Sequence, residues 1–584
     1  MANTRKCLGV GLGVLLILSL SACQQVGALF SKRPSENMPA FHPAAEVVYP
    51  DQNWSAYHRE WFYHAGQGTE LMPYAWFMAL EQPHLRVFGT VPKFHNIEYL
   101  GRFGFLPDDR TPENPDGLPV GFAKDTVIDP QSGKTVEVVG LTCAACHTGQ
   151  LEYQGKGIRI DGGSSIADLQ SFQTELGFAA ALTEYIPGRF DRFATAVLGS
   201  KAPGDAKKKL HEDFRAFLER GLAEKKEADA RKLYPVPGGF GRTDALGRIG
   251  NFVFGTELDN QNLRVADAPV SFPPVFYTSW FAWVQYNASI EQPMVRNIGE
   301  ALGVRARVNL TDPNKLFQST VNVKNLHEME ELLAGPSAFN GLRHPAWPEA
   351  ILGPLDQAKV KQGAALYRQH CQHCHLPPLN SPEIQDPKYW EAGLQGHRFL
   401  KLNVIPLEEI GTDPKAATNW EERTAVPGAL GSGTISAADG LRLVTSKIAG
   451  IKYAELGVTP EQQPEWNGYR DYRVTKPHAY RARPLAGIWA TPPFLHNGSV
   501  PNLYQMLIPA DRRDKTFYLG SREFDPKYVG FRTAAFAGGF AFCTDKPGNS
   551  NAGHEFSSRQ GSGVIGPELT DDERWAIIEY LKSM

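Results

Sequence analysis

The pattern Cys-x-x-Cys-His occurs twice in this chain, at Cys143-Ala144-Ala145-Cys146-His147 and at Cys371-Gln372-His373-Cys374-His375. With 7 Cys and 16 His in 584 residues, chance would supply about 0.002 such matches. Two sulfurs separated by two residues on a tight helical turn match the two vinyl groups of one porphyrin. The next residue, His, projects its imidazole onto the iron as proximal ligand. A thioredoxin-like redox pair needs no such His, and a zinc site would need the two pairs close together in the fold. The pattern reads as two covalently bound haems c. One is held by Cys143 and Cys146 with His147 on the iron, the other by Cys371 and Cys374 with His375 on the iron.

The other cysteines point to export. Arg5 and Lys6 precede an apolar stretch, Leu8 to Leu20, too short to span a bilayer comfortably and suited to a signal peptide. It ends in Leu20-Ser21-Ala22-Cys23, which looks like a bacterial lipobox with Cys23 as the lipid anchor. Gln24 rather than Asp follows it, which resembles outer-membrane sorting. Cys7 would leave with the signal peptide, so only Cys543 is spare, too few for the disulfides exported proteins normally use. The expected location is the periplasmic side of the outer membrane or the cell surface, otherwise the soluble periplasm or the medium. The membrane is touched only through the anchor. A formal net charge of −3 gives no reason to expect nucleic acid as a partner.

The expected fold is mainly α with extensive loops and few short strands, built as two cytochrome c-like haem domains with the N-terminal one enlarged. Residues 1–22 are the signal peptide and 23–45 the anchor and linker. Residues 46–345 form the N-terminal c-haem domain and 346–584 the C-terminal cytochrome c domain. Ala358 to Tyr367 has helical spacing, with Gly363 placed to let another helix cross closely. The partner is the C-terminal helix, Leu569 to Leu581, opened by a capping box of Thr570 and Glu573. Residues 204–232 read as a solvated amphipathic helix through Leu210, Phe214, Phe217 and Leu218. Beyond the two haem motifs the sequence shows no internal repeat.

The second face of each iron sets the chemistry, because two strong protein ligands make an electron carrier and one open face admits dioxygen or peroxide. After His147 the next His is His211 and the next Met is Met294. The stretch from Gly149 to Gly163 reads as strand and turn, so the first haem is expected to be open. For the second haem, His554 in a flexible loop is the first choice of ligand, His496 the alternative, and Met506 lies behind.

The stretch Arg483-Pro484-Leu485-Ala486-Gly487-Ile488-Trp489-Ala490-Thr491-Pro492-Pro493-Phe494-Leu495-His496-Asn497-Gly498-Ser499 resembles the signature of the di-haem cytochrome c peroxidase superfamily. The residues from Cys143 to Gly155, Trp283-Val284-Gln285-Tyr286-Asn287 and Gly553-His554-Glu555-Phe556 resemble its rubber oxygenase branch, which includes fatty-acid dioxygenases. The resemblance spans roughly residues 45–584. It implies His147 as proximal ligand of an open, oxygen-binding haem, and His375 and His554 as the two ligands of a six-coordinate haem. It also implies Trp283 as an aromatic residue near both haems. The chain departs from the peroxidases proper. It lacks a His shortly after His147, and Ala510 stands where Met is usual.

What this implies is a haem-dependent dioxygenase that adds dioxygen to a carbon–carbon double bond of an apolar substrate, an unsaturated fatty acid or polyisoprene. A periplasmic electron donor is a possible further partner. Phe252, Phe254, Phe272, Phe276 and Phe281 lie in the right segment to wall an apolar pocket, with Trp283, Phe254 and Phe276 as the lead pocket residues. They fit an ordinary core equally well. One alternative is a hydrogen peroxide reductase or peroxide-dependent oxidase, for which Glu257 or Glu291 would be recruited as acid–base groups. Another is an electron-transfer lipoprotein with two saturated haems.

Overall fold

A computed structural model describes residues 33–84 and 91–584. The signal peptide, the lipobox and Cys23 lie outside the described residues. The fold is mixed, 40% helical and 15% strand. This corrects the expectation of few strands: among the described residues twenty strands form nine small sheets. Most of these strands span two to four residues and pin one loop to another. Pieces that short carry too little alternation to be read from sequence.

Strands carry the first haem motif. Phe122–Ile128 and Thr135–Leu141 pair antiparallel, from Phe122↔Leu141 to Ile128↔Thr135. The chain then makes the single turn Cys143–Ala145 and enters a hairpin of Thr148–Tyr153 with Lys156–Asp161. Its tip is Gln154-Gly155, with φ of 50° and 81°, the left-handed pair that matches strand twist. The strand and turn expected after His147 are both present.

Helices carry the second motif. Gln357–His370 opens where the Asp356 side chain accepts from the backbone of Ala358 and Lys359. It runs straight into Cys371 and the short helix Gln372–His375. The last helix, Asp571–Lys582, starts on the expected capping box of Thr570 and Glu573 and packs across Gln357–His370. Gly363 lies at the crossing, where a Cβ would overlap the Ala576 carbonyl oxygen. Tyr367 and Tyr580 meet beside it with ring centroids 5.3 Å apart.

The charged segment is the helix Gly204–Ala230. One face packs with Leu169–Tyr185 and Arg189–Leu198 around Phe178, Phe193, Leu210, Phe214 and Leu218. The main core is larger and joins the two motif regions. Ala144, Phe276 and Val295 share it with Leu376, Trp489 and Ile577. Apolar side chains from both sides of residue 345 are therefore buried together. The helix Pro293–Gly303 lies against Ala437–Leu456, with Gly299 facing Leu441. Among the described residues no helix is long and apolar enough to cross a membrane.

Candidate haem sites

Both motif histidines are aimed in the same way. His147 Nδ1 donates to the Pro273 carbonyl at 2.7 Å, and His375 Nδ1 donates to the Arg483 carbonyl at 2.7 Å. A carbonyl only accepts, so Nδ1 carries the proton and Nε2 keeps a free lone pair. This is how a backbone carbonyl fixes the tautomer of a metal-binding His. Burial pushes the His147 imidazole down to about 4 and lowers that of His375. Both are thus neutral at pH 7, as ligation requires. Burial also pushes the Cys143 and Cys371 thiols up to about 12 and raises those of Cys146 and Cys374. All four cysteines are half-buried. Among the described residues no group of three or more His, Cys, Asp or Glu is placed to hold a bare metal ion, which speaks against zinc at either Cys pair.

The two accepting carbonyls begin a repeat that the sequence conceals. Residues 273–290 and 483–500 follow one backbone path. Tyr277 and Gly487 are both left-handed, with φ of 61° and 70°. Single 3-10 turns follow at Thr278–Trp280 and Ile488–Ala490. Gln285 pairs with Leu495 (φ 64° and 62°) and Ala288 with Gly498 (φ 54° and 68°). Each segment closes on the same small bridge, Val284↔Ile290 and Phe494↔Val500. Each then enters a helix capped by an amide, Gln292 to Val295 N–H and Asn502 to Gln505 N–H. The repeats also hold each other reciprocally. Ser271 N–H donates to the His496 carbonyl at 2.9 Å, and Arg481 N–H, at the matching position, donates to the Tyr286 carbonyl at 2.8 Å. That exchange is the signature of a two-fold relation.

Opposite His375 stands His554. Their ring centroids are 6.0 Å apart, with the planes at 66°. A metal bonded at about 2 Å to one nitrogen of each ring would set the ring centres roughly 6 Å apart. His554 Nδ1 is buried without a hydrogen-bond partner, and burial together with His375 pushes its imidazole down to about 3. The pair fits an iron held between two neutral imidazoles. The loop expected to be flexible is pinned. Arg513 donates to the carbonyls of Asn551, Gly553 and His554 at 2.6, 2.9 and 2.8 Å. His496 stands elsewhere, stacked on Tyr480 with centroids 4.1 Å apart at the junction of the repeats.

Among the described residues no second imidazole faces His147 as His554 faces His375. The helix Pro293–Gly303, which follows the first repeat, supplies polar groups to this site instead. The Arg296 charge acts on His147, and the Glu300 carboxylate acts on both Cys143 and Cys146. Glu300 Oε1 accepts from Gln285 Nε2 at 3.0 Å, and burial raises the Glu300 pKa. Arg296 is neutralised by its ion pair with Glu330.

Other expected residues fall differently. Trp283 is half-buried, under the Arg473 guanidinium at 5.3 Å, and its side chain bonds Glu391. Phe254 and Phe276 are fully buried. Phe254 sits in the π-helical turn Asn251–Thr256 against Gly440, and Phe276 lies beside Gly162 and Gly487. The five phenylalanines do not form one wall, because Phe272 belongs to a separate cluster with Phe105 and Phe172. Phe276 lies instead in the main core with Phe254 and Phe281. Glu257 and Glu291 are buried in ion pairs with Arg307 and Arg473. Sequence reasoning missed Glu300 and Arg513. Neither lies in a motif, and nothing in the sequence around them marks them out.

The family described as "RoxA-like, cytochrome c-like" matches residues 479–518, which contain the second repeat. The uncharacterized protein y4iJ of Sinorhizobium fredii (strain NBRC 101917 / NGR234) is 47% identical over 577 residues, covering 94% of this chain and 95% of its own length. The chain belongs to that protein's family. The uncharacterized protein y4iM of the same organism is 24% identical over 326 residues, 53% of this chain and 63% of its own. The RoxA-like match points to a haem-related oxidoreductase, and a cytochrome c-like domain implies covalently bound haem c.

Proposed function

We propose that this chain is a di-haem c-type dioxygenase of the rubber oxygenase branch, with one haem on Cys143, Cys146 and His147 and the other on Cys371, Cys374 and His375. The two halves, 46–345 and 346–584, are cytochrome c-like domains. The observation that carries the reading is the asymmetry of two otherwise repeated sites: His375 has His554 6.0 Å across from it, whereas the first motif has Arg296 acting on His147 and Glu300 acting on Cys143 and Cys146. A haem with one protein ligand supplies an iron able to activate dioxygen, and a haem with two supplies an electron-transfer centre.

The chain's own residues set those roles. The Pro273 carbonyl holds His147 with Nε2 free, and the Arg483 carbonyl does the same for His375. Arg513 keeps His554 in place. An alkene substrate would need few polar contacts from the chain. The substrate is an unsaturated fatty acid or polyisoprene, and a periplasmic electron donor sets the redox state. The location is a lipid-anchored one, through Cys23 on the periplasmic side of the outer membrane.

A second reading, peroxide reduction, draws support from Glu300. Its carboxyl, whose pKa desolvation raises and which accepts from Gln285 Nε2, is a candidate acid–base group near the first motif. Incubation with oleate and with polyisoprene under ¹⁸O-labelled dioxygen, followed by mass spectrometry, separates the two. Two labelled oxygens in the product support the dioxygenase. No label, together with rapid consumption of added hydrogen peroxide, overturns it in favour of the peroxidase.

A further inference from the structure

Buried arginines in this protein generally have a carboxylate acting on them. Arg242 has Asp413, Arg423 has Asp244, Arg470 has Glu330, Arg513 has Glu555 and Arg522 has Glu152. Arg481 and Arg483, both half-buried, have none. The charged groups acting on Arg481 are two further cations, Arg483 and Arg296, besides the phenol of Tyr286, and the same phenol faces Arg483. Their hydrogen bonds go to backbone carbonyls only. Arg481 Nε donates to Gln285, and Arg483 donates to Pro484 and Pro274 at 3.4 Å, near the outer limit of a hydrogen bond. Arg481 Nη1 is buried with no partner at all.

Two half-buried guanidiniums with no carboxylate acting on them, one with a nitrogen buried and unpaired, are unfavourable unless an anion joins them. Between them the two forks carry several N–H donors with no protein acceptor, and the buried Arg481 Nη1 is one of them. Their position is specific as well. The Arg483 carbonyl orients His375, while its side chain reaches Pro274, next to the Pro273 carbonyl that orients His147. The pair therefore stands between the two candidate haem sites.

We propose that Arg481 and Arg483 form a carboxylate seat at the junction of the repeats. The seat rests on the di-haem reading above. Its ligand chemistry is a carboxylate in bidentate contact with guanidinium. Two sources bring that chemistry here: a haem propionate, and the acid head of an unsaturated fatty acid.

The test uses the full-length holoprotein with Arg481→Gln and Arg483→Gln together, beside the Arg481→Lys and Arg483→Lys pair. The midpoint potentials of both haems are measured without added ligand. Affinities for oleate and for oleyl alcohol are measured by tryptophan fluorescence. A lower potential at one haem in the Gln pair, recovered in the Lys pair, shows that a propionate occupies the seat, because removing positive charge favours the ferric state. A tenfold or greater loss of oleate affinity, with oleyl alcohol unchanged, shows that the fatty acid occupies it. Unchanged potentials with unchanged oleate affinity overturn the seat. If the Gln pair fails to fold, Arg481→Gln and Arg483→Gln are measured singly and read in the same way, and no change in either potential or in oleate affinity overturns the proposal. The mass of the denatured unaltered chain separates the two levels. Two haems with no effect of the substitutions sinks the seat alone, and no covalent haem sinks the di-haem reading beneath it.

Discussion

The Arg513 guanidinium donates a 2.8 Å hydrogen bond to the carbonyl of His554 while also gripping Asn551 and Gly553 in the same loop. His554 is left-handed, with φ of 43°, a conformation that costs a non-glycine residue roughly 1–2 kcal/mol. Arg513→Met removes every one of these bonds and should cost about 2–4 kcal/mol of stability. It should also free His554 from its place across from His375. A low-spin signal of the second haem that becomes high-spin, read by low-temperature spin resonance, is the expected outcome. His554→Ala should produce the same change and let carbon monoxide bind a second iron, whereas His496→Ala should leave the spectrum unaltered. A spectrum that responds to His496 and ignores His554 would reverse the assignment.

Covalent attachment is the simplest prediction to check. Cys143→Ala with Cys146→Ala should lower the mass of the denatured protein by one haem and leave the second site's low-spin signal intact. Retention of two haems would refute the first site.

The helix crossing at Gly363 predicts a loss of stability confined to the second motif region. Gly363→Val places a side chain against the Ala576 carbonyl, and Asp571–Lys582 must move away from Gln357–His370. Overpacking of this kind costs about 1–3 kcal/mol. The denaturation midpoint should fall and the second haem should become more accessible to carbon monoxide. An unchanged midpoint would mean that the two helices do not cross there in solution.

Glu300 makes a prediction with a definite sign. Burial raises its pKa above the ordinary 4.5, so the neutral carboxyl is favoured in the folded state. Its contribution to stability is complete below pH 4.5 and is lost as pH rises through the raised value. Glu300→Gln removes that loss, so the variant should gain on the unaltered protein as pH rises above 4.5 in unfolding titrations and match it below. If the protein reduces peroxide with Glu300 as the acid–base group, the same variant should lose about 10²–10⁴-fold of that activity. Dioxygen incorporation should survive the substitution, and its disappearance would assign Glu300 to the oxygenase reaction instead.

Part of this protein is legible residue by residue. The haem motifs announce themselves because thioether formation and proximal ligation are served by five consecutive residues, and local geometry alone supplies their spacing. The capping box at Thr570 and the close crossing at Gly363 are legible for the same reason, since each depends on a few neighbouring positions. The repeat of 273–290 in 483–500 stays hidden, because only Pro274, Asn287 and Ser289 keep their identity in it. A backbone path can be preserved by φ, ψ and hydrogen bonds while side chains change. Tyr277 and Gly487 hold the same left-handed turn with unlike residues.

What only the tertiary structure decided is which group faces each motif histidine. From the sequence His554 is the first choice and His496 the alternative, but both are loop histidines and neither shows which one reaches His375. His554 reaches His375 because Arg513, forty-one residues earlier, binds the carbonyls of its loop. His496 is drawn instead onto Tyr480 at the junction of the repeats. Glu300 likewise meets the first haem motif only through the packing of its helix. The attached face of each haem is set by covalent chemistry between near neighbours and is written in the sequence. The opposite face is set by contacts between residues far apart in the chain, and those exist only once the core has closed.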